Sequence, residues 1–102
     1  EKSNITISMK ALEGRTICYE KLKDYSNAQS DAREMINLSP SSAKGYLRLG
    51  KILRLMKKSD NALRIYSIAL KKCPVNDHCI IERQIELTKL QMETLLLSQQ
   101  NK

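Results

Sequence analysis

Apolar residues recur three and four positions apart along most of the chain. Ala28, Ala32 and Met35 form one such stripe, Tyr46, Leu49 and Leu53 a second, and Ala62, Tyr66 and Ala69 a third. That spacing follows the 3.6-residue turn of an amphipathic helix, and no stretch shows the strict alternation of a half-buried strand. The pattern predicts five helices over about 5–22, 26–38, 43–57, 60–73 and 77–98. Punctuation agrees with it. Ser26 with Gln29 reads as a capping box, Ser42 and Asp60 as N-caps of the next two helices, and Asp77 as a cap for the last. Pro40 and Pro74 end the helices before them because proline donates no backbone hydrogen bond. Residues 99–102 read as a disordered tail. With no Gly-rich loop and almost no linker, the expected class is all-α.

The skeleton around those two prolines repeats: Tyr25-Ser26-Asn27-Ala28 comes before Pro40, and Ser59-Asp60-Asn61-Ala62 before Pro74. With proline set at repeat position 32, Tyr46, Leu49, Gly50, Leu53, Ala62, Tyr66 and Ala69 fall at positions 4, 7, 8, 11, 20, 24 and 27 of the second copy. Leu12, Arg15, Thr16, Tyr19, Ala28, Ala32 and Met35 fill the same places in the first. Small residues at 8 and 20 let two helices approach closely, and bulky ones beside them fill the gap. In residue pattern, and in a period of about 34 positions set by the two prolines, the stretch 9–76 resembles the tetratricopeptide repeat. The resemblance implies a right-handed α-α superhelix of two helix hairpins (about 9–42 and 43–76) closed by a long capping helix (about 77–98), and a protein-binding surface in place of an active site.

The last helix carries two stripes. Ile80, Leu87 and Leu90 form the one expected to pack on the preceding hairpin. Ile81, Ile85, Met92 and Leu96 lie on roughly the opposite side, where a terminal cap should be polar. Two readings stay open for the second stripe: cover for a downstream domain, or a protein-binding face or homodimer contact.

A chain of 102 residues holds one small domain, and two repeats are fewer than the roughly three a solenoid needs, so a segment of a larger protein is expected. No apolar run approaches a membrane span and no leader pattern opens the chain, so neither a membrane role nor secretion is expected. Cys18, Cys73 and Cys79 are odd in number, and Cys18 and Cys73 stand at repeat positions that suit a small apolar residue; reduced thiols in cytosol or nucleus follow. In that setting Asn4-Ile5-Thr6 is a coincidental glycosylation pattern.

Charge is far from uniform. The net +7 comes from one repeat: residues 41–76 hold nine Lys and Arg against the single acid Asp60. Lys44, Arg48, Lys51, Arg54 and Lys58 fall on one helical face of about 120° with no interleaved acid. In tetratricopeptide repeats the first-helix positions 2, 5, 6, 9, 12 and 13 line the concave groove, and Lys44, Arg48, Lys51 and Arg54 occupy 2, 6, 9 and 12. Leu47 lies among them, and Ile81 and Ile85 are expected to border the groove from the next helix. The expectation is a basic floor beside an apolar wall, suited to a partner segment with acids and bulky apolar residues.

Ala43-Lys44-Gly45-Tyr46-Leu47-Arg48 resembles the third repeat of the dicarboxylate-clamp co-chaperones, which hold acidic C-terminal tails of heat-shock chaperones; that clamp also wants Asn where this chain has Gly14. The strings Cys18–Tyr25 and Gly45–Lys51 resemble the N-terminal repeats of fungal F-box proteins that also carry leucine-rich repeats. That resemblance, over about residues 12–72, implies a docking module of a cullin-type ubiquitin-ligase substrate receptor, recruiting partners at chromatin and the replication machinery, and a nuclear or nuclear and cytoplasmic location.

Nucleic-acid binding is the reading from another class, since nine basic side chains in one repeat match a phosphate backbone. Four Tyr and no Phe or Trp offer little stacking, and two of the Tyr are claimed by the core register. Catalysis lacks parts. His78 is the lone histidine, no phosphate-cradling loop exists, and Cys73, His78 and Cys79 diverge on a helix and lack a fourth ligand, so no enzyme activity, cofactor or metal is expected.

Overall fold

The computed structural model describes residues 8–100. Among these residues five α-helices follow one another: α1 Met9–Lys21, α2 Tyr25–Leu38, α3 Ala43–Leu55, α4 Ser59–Lys72 and α5 His78–Gln100, with a 3-10 turn, Val75–Asp77, before the last. Successive helices pack against each other, while α1 also meets α3 and α3 meets α5. The result is an all-α solenoid of stacked helix pairs, with α1, α3 and α5 side by side in one layer and α2 and α4 behind them.

The two hairpin turns are built alike. Lys23 and Lys57, which hold the same place in successive repeats, both take left-handed backbone angles, φ 62° and 67°. In each turn the next N–H reaches back into the helix: Asp24 donates to the Tyr19 carbonyl and Lys58 to that of Leu53, both at 2.8 Å. This satisfies carbonyls that the helix end would otherwise leave unpaired.

Several caps differ from expectation. Ser8 caps α1, its hydroxyl accepting from Ala11 N–H, so α1 starts at Met9; residues 5–7 of the expected helix, and the Asn4-Ile5-Thr6 pattern, lie outside the described residues. α2 is capped by Asp24, which accepts from the Asn27 backbone and side chain, because a carboxylate is a stronger acceptor at a helix N-terminus than the Ser26 hydroxyl. Gln29 instead donates to the Met56 sulfur. Ser42 caps α3 as expected. The chain re-enters the helix at Ser59, soon after the left-handed Lys57, which places Asp60 inside the first turn of α4 rather than at its cap. Asp77 lies in the 3-10 turn, and α5 runs on to Gln100, so Gln99 and Gln100 are helical where a tail was expected. Residues 101–102 lie outside the described residues.

The core follows the repeat. Leu12, Ala28, Ala32, Met35, Leu49, Ile52, Ala62, Tyr66 and Ala69 are buried, as is Thr16, whose hydroxyl donates to the Leu12 carbonyl. Burying each large apolar side chain contributes about 1.5–3 kcal/mol. Gly45 allows α3 to lie against the Ile36 backbone of α2, where a β-carbon would clash. Tyr46 donates to the Pro40 carbonyl at 2.7 Å, tying α3 to the turn before it. Arg15 grips the buried Asp31 with two bonds of 2.7 and 2.9 Å, joining α1 to α2.

α5 overturns the expected stripe. Ile81 is fully buried, Ile85 packs beside it and Thr88 is buried, whereas Ile80, Leu87 and Leu90 face solvent. The cause is the 3-10 turn. It delays α5 by a single position, so Ile81 is the fourth residue of α5 just as Tyr46 is of α3 and Leu12 of α1. Leu12 and Tyr46 stand one full period apart, whereas Ile81 comes one position later than a period after Tyr46. Every side chain of the last helix is therefore turned by about 100° relative to the register.

Candidate partner-binding groove

Lys44, Leu47, Arg48 and Lys51 of α3 line one cleft of about 230 Å³ together with Glu13 of α1 and Gln84 of α5. All six come from the layer of odd-numbered helices. Arg54 lies one turn further along α3, in a second gap of about 380 Å³ between α3 and α5, lined by Lys51, Leu55, Leu87 and Leu90. Lys58 does not join them. It stands past the end of α3 and faces the other layer, with Arg33 and Arg64, because the hairpin turn reverses the chain before it.

Ile81 and Ile85 do not border the groove. Both turn into the core because of the shifted start of α5, which instead presents Gln84 to the first cleft and Leu87 and Leu90 to the second. Leucines of α3 and α5, in place of the expected isoleucines, stand beside Arg54 in the second gap.

The floor is less free than the isolated helix implies. Arg48 lies 3.5 Å from Glu13 and 3.9 Å from Glu20, and Lys51 pairs with Glu20 at 3.0 Å. Glu20 is mostly buried, and its Oε1 accepts no hydrogen bond among the described residues. The acids absent from α3 are thus supplied by α1. Sequence reasoning passed over them although the register holds them: Glu13 and Glu20 stand one repeat before Leu47 and Arg54, at groove positions 5 and 12. Lys44 is exposed and Arg54 half-buried; neither pairs with an acid among the described residues, and the Arg54 Nε is buried without a partner there.

Among the described residues no cluster of His, Cys, Asp and Glu is placed to hold a metal, and His78 Nε2 lies 3.1 Å from the Cys73 carbonyl. Cys73 is buried and its thiol is pushed above its ordinary range by burial; Cys18 and Cys79 are exposed, and no disulfide forms among the described residues. No described helix is long and apolar enough to cross a membrane.

Comparison with known proteins bears on what such a groove belongs to. The F-box/TPR repeat protein pof3 of Schizosaccharomyces pombe is 41% identical over 71 residues, 70% of this chain and 12% of that protein. The chain carries tetratricopeptide repeats. The Hsp70-Hsp90 organizing protein 3 of Arabidopsis thaliana is 40% identical over 68 residues, 67% of this chain and 12% of the relative. Protein DIA2 of Eremothecium gossypii is 36% identical over 61 residues, 60% and 9% of the two chains. This chain therefore spans about a tenth of the length of the tetratricopeptide relatives it matches. No protein-family model matches the sequence.

Proposed function

We propose that this tetratricopeptide segment is a non-catalytic docking module whose concave groove receives a partner segment bearing both acidic and apolar residues. The observation that carries this reading is the cleft shared by Lys44, Leu47, Arg48 and Lys51, continued by Arg54 toward Leu87 and Leu90. Partly exposed charge pairs give about 0–1 kcal/mol each, so charge alone falls short of the about 8 kcal/mol of micromolar binding. Leucine anchors at about 1.5–3 kcal/mol each supply the remainder.

For the whole protein we propose a substrate receptor of an F-box ubiquitin ligase, acting in the nucleus on chromatin or replication proteins. The likeness to the fission-yeast F-box/TPR protein supports it. The alternative is a co-chaperone that binds acidic C-terminal tails, supported by the likeness to the Hsp70-Hsp90 organizing protein and by Lys44 and Arg48. Two features weigh against a carboxylate clamp. Arg48 is already engaged by Glu13 and Glu20, and Gly14, with open space around it, offers no side chain where the clamp wants Asn.

The test uses the chain itself as bait in nuclear extract, competed with a short acidic peptide ending in a free carboxylate or in an amide. The groove reading expects capture that both peptides reduce equally and that Lys44→Glu weakens. Competition by the free-carboxylate peptide alone moves the assignment to the chaperone-tail reading, and capture indifferent to Lys44→Glu removes the groove.

A further inference from the structure

A second groove runs along the rear layer, between α2 and α4, with Tyr46, Leu49 and Leu53 of α3 as its floor. It consists of two hollows, of about 410 Å³ and about 300 Å³, that share Arg33, Ile65 and Ile68. The first also takes in Lys58, Asn61 and Arg64, the second Ile36 and Asn37. One end is thus cationic and the other aliphatic. None of these residues lines the concave groove, so loss of that reading leaves this surface standing.

The cationic end is uncompensated. Arg33, Lys58 and Arg64 are exposed, and none pairs with an acid among the described residues. Arg33 donates instead to the Gln29 side-chain oxygen at 3.2 Å, and Gln29 donates to the Met56 sulfur, so a neutral chain of contacts holds this guanidinium at the edge of the hollow. Glu34 and Asp60 adjoin groove residues in sequence but line neither hollow. A single carboxylate would leave two of the three cations unmatched. A phosphate monoester carries a charge of about −1.5 to −2, with three acceptor oxygens that the fork of a guanidinium fits. The aliphatic end speaks against a nucleic acid. Past the first phosphate its backbone would meet Ile36, Ile65 and Ile68 in place of a second cation, and the aromatic ring of the floor, Tyr46, is buried with its hydroxyl held by the Pro40 carbonyl.

We propose that this groove binds a phosphorylated serine or threonine of a partner protein, held by Arg33, Lys58 and Arg64, with a bulky aliphatic side chain two residues away seated against Ile36, Ile65 and Ile68. The spacing follows from geometry. Arg64 and Ile68 stand about one turn apart on α4, roughly 6 Å, and alternate side chains of an extended peptide point the same way about 6.6–7 Å apart. A second copy of the chain fits poorly. Glu86 and Glu93 of α5 stand about 10 Å apart along the helix with Lys89 in the same hollow, so its acids arrive one at a time with a cation between them.

The test is fluorescence anisotropy at physiological salt, with the chain and a synthetic peptide bearing leucine two residues to either side of one phosphoserine, which serves both chain directions. This peptide is expected to bind at least about tenfold more tightly than forms with Ser or Glu at the central position. Replacing both leucines by Ser should weaken it by about tenfold. Arg64→Gln and Ile68→Ser, both at exposed positions, should each weaken it by about five- to tenfold with unchanged circular dichroism. Lys44→Glu, on the other layer, should leave it within about twofold. Equal binding of the phosphoserine and Glu forms, or binding of neither, overturns the proposal. So does binding lost in Lys44→Glu but kept in Arg64→Gln, which would move the phosphate to the concave groove. Displacement of the peptide by single-stranded RNA of equal affinity would give the surface to nucleic acid, and a dimer that Arg64→Gln dissociates would give it to a second copy; either result overturns the proposal as well.

Discussion

The Tyr66 ring of α4 occupies the space that a β-carbon on Gly50 of α3 would need. The hairpin therefore closes only because one helix contributes no side chain where the other contributes its largest. Gly50→Ala should cost at least about 1–3 kcal/mol, since the obstacle is a buried aromatic ring rather than a flexible chain end. Tyr66→Phe should be nearly neutral or slightly stabilising, because the buried phenol oxygen has Thr88 near it but no partner in hydrogen-bonding geometry among the described residues. Urea unfolding of the two variants checks both; a large loss in Tyr66→Phe would mean that the hydroxyl is satisfied after all.

The same tyrosine gives the fold an alkaline limit. Burial raises the Tyr66 phenol, against smaller opposing effects of Arg54 and Thr88, and burial also raises Tyr46 and the Cys73 thiol. The unfolded chain ionises these groups first, at about 8.5 for Cys and about 10 for Tyr. Stability is therefore fully present below those values and lost as pH rises through the higher folded ones. Melting temperature should hold level to about pH 8 and fall above about pH 9, and Tyr66→Phe should make that fall shallower.

The register can be tested at neighbouring positions of α5. Ile81→Ala should cost about 2–5 kcal/mol because Ile81 is completely enclosed, whereas Ile80→Ala, half exposed, should cost less than about 1 kcal/mol. Counting one unbroken period on from the second repeat assigns the opposite order, so thermal denaturation of the two variants separates the phases directly.

That inversion marks where the sequence stopped being legible. Positions 9–72 could be placed from two prolines and a row of small residues, because one period governs both hairpins and both turns. The last helix could not, since a 3-10 turn of three residues leaves no signature beyond Pro74 and Asp77, yet rotates all that follows. The groove floor was legible by the same token, as the period places Lys44, Arg48 and Lys51 on the layer shared with α1 and α5. Its acids are not legible within α3, because Glu13 and Glu20 arrive from a neighbouring helix through tertiary packing.

Lys23 and Lys57 offer a stability gain at the two turns. Left-handed geometry costs an L-residue about 1–2 kcal/mol, against about 0.5–1 kcal/mol of extra chain entropy lost by glycine. Lys23→Gly and Lys57→Gly should each stabilise by about 0.5–1 kcal/mol, additively, since the turns belong to different hairpins. Equilibrium unfolding of the single and double variants measures this.

On the proposed groove reading, Glu20 is the residue through which affinity for an acidic segment can be raised without touching the cations. It holds Lys51 at 3.0 Å and approaches Arg48, so an acidic ligand must compete with it for the same positive charge. Glu20→Gln keeps the shape of the side chain and removes the charge. Two partly exposed pairs at about 0.5 kcal/mol each correspond to about fivefold tighter binding of an acidic peptide, and the gain should shrink as salt screens the ligand's charge. Lys44 lies apart from this network, so Lys44→Glu should weaken the same peptide in both backgrounds by a similar factor. Titration calorimetry of the four proteins at low and high salt checks the whole set. Unchanged affinity in Glu20→Gln would show that the ligand's acids meet Lys44 and Arg54 alone, bypassing the paired residues between them.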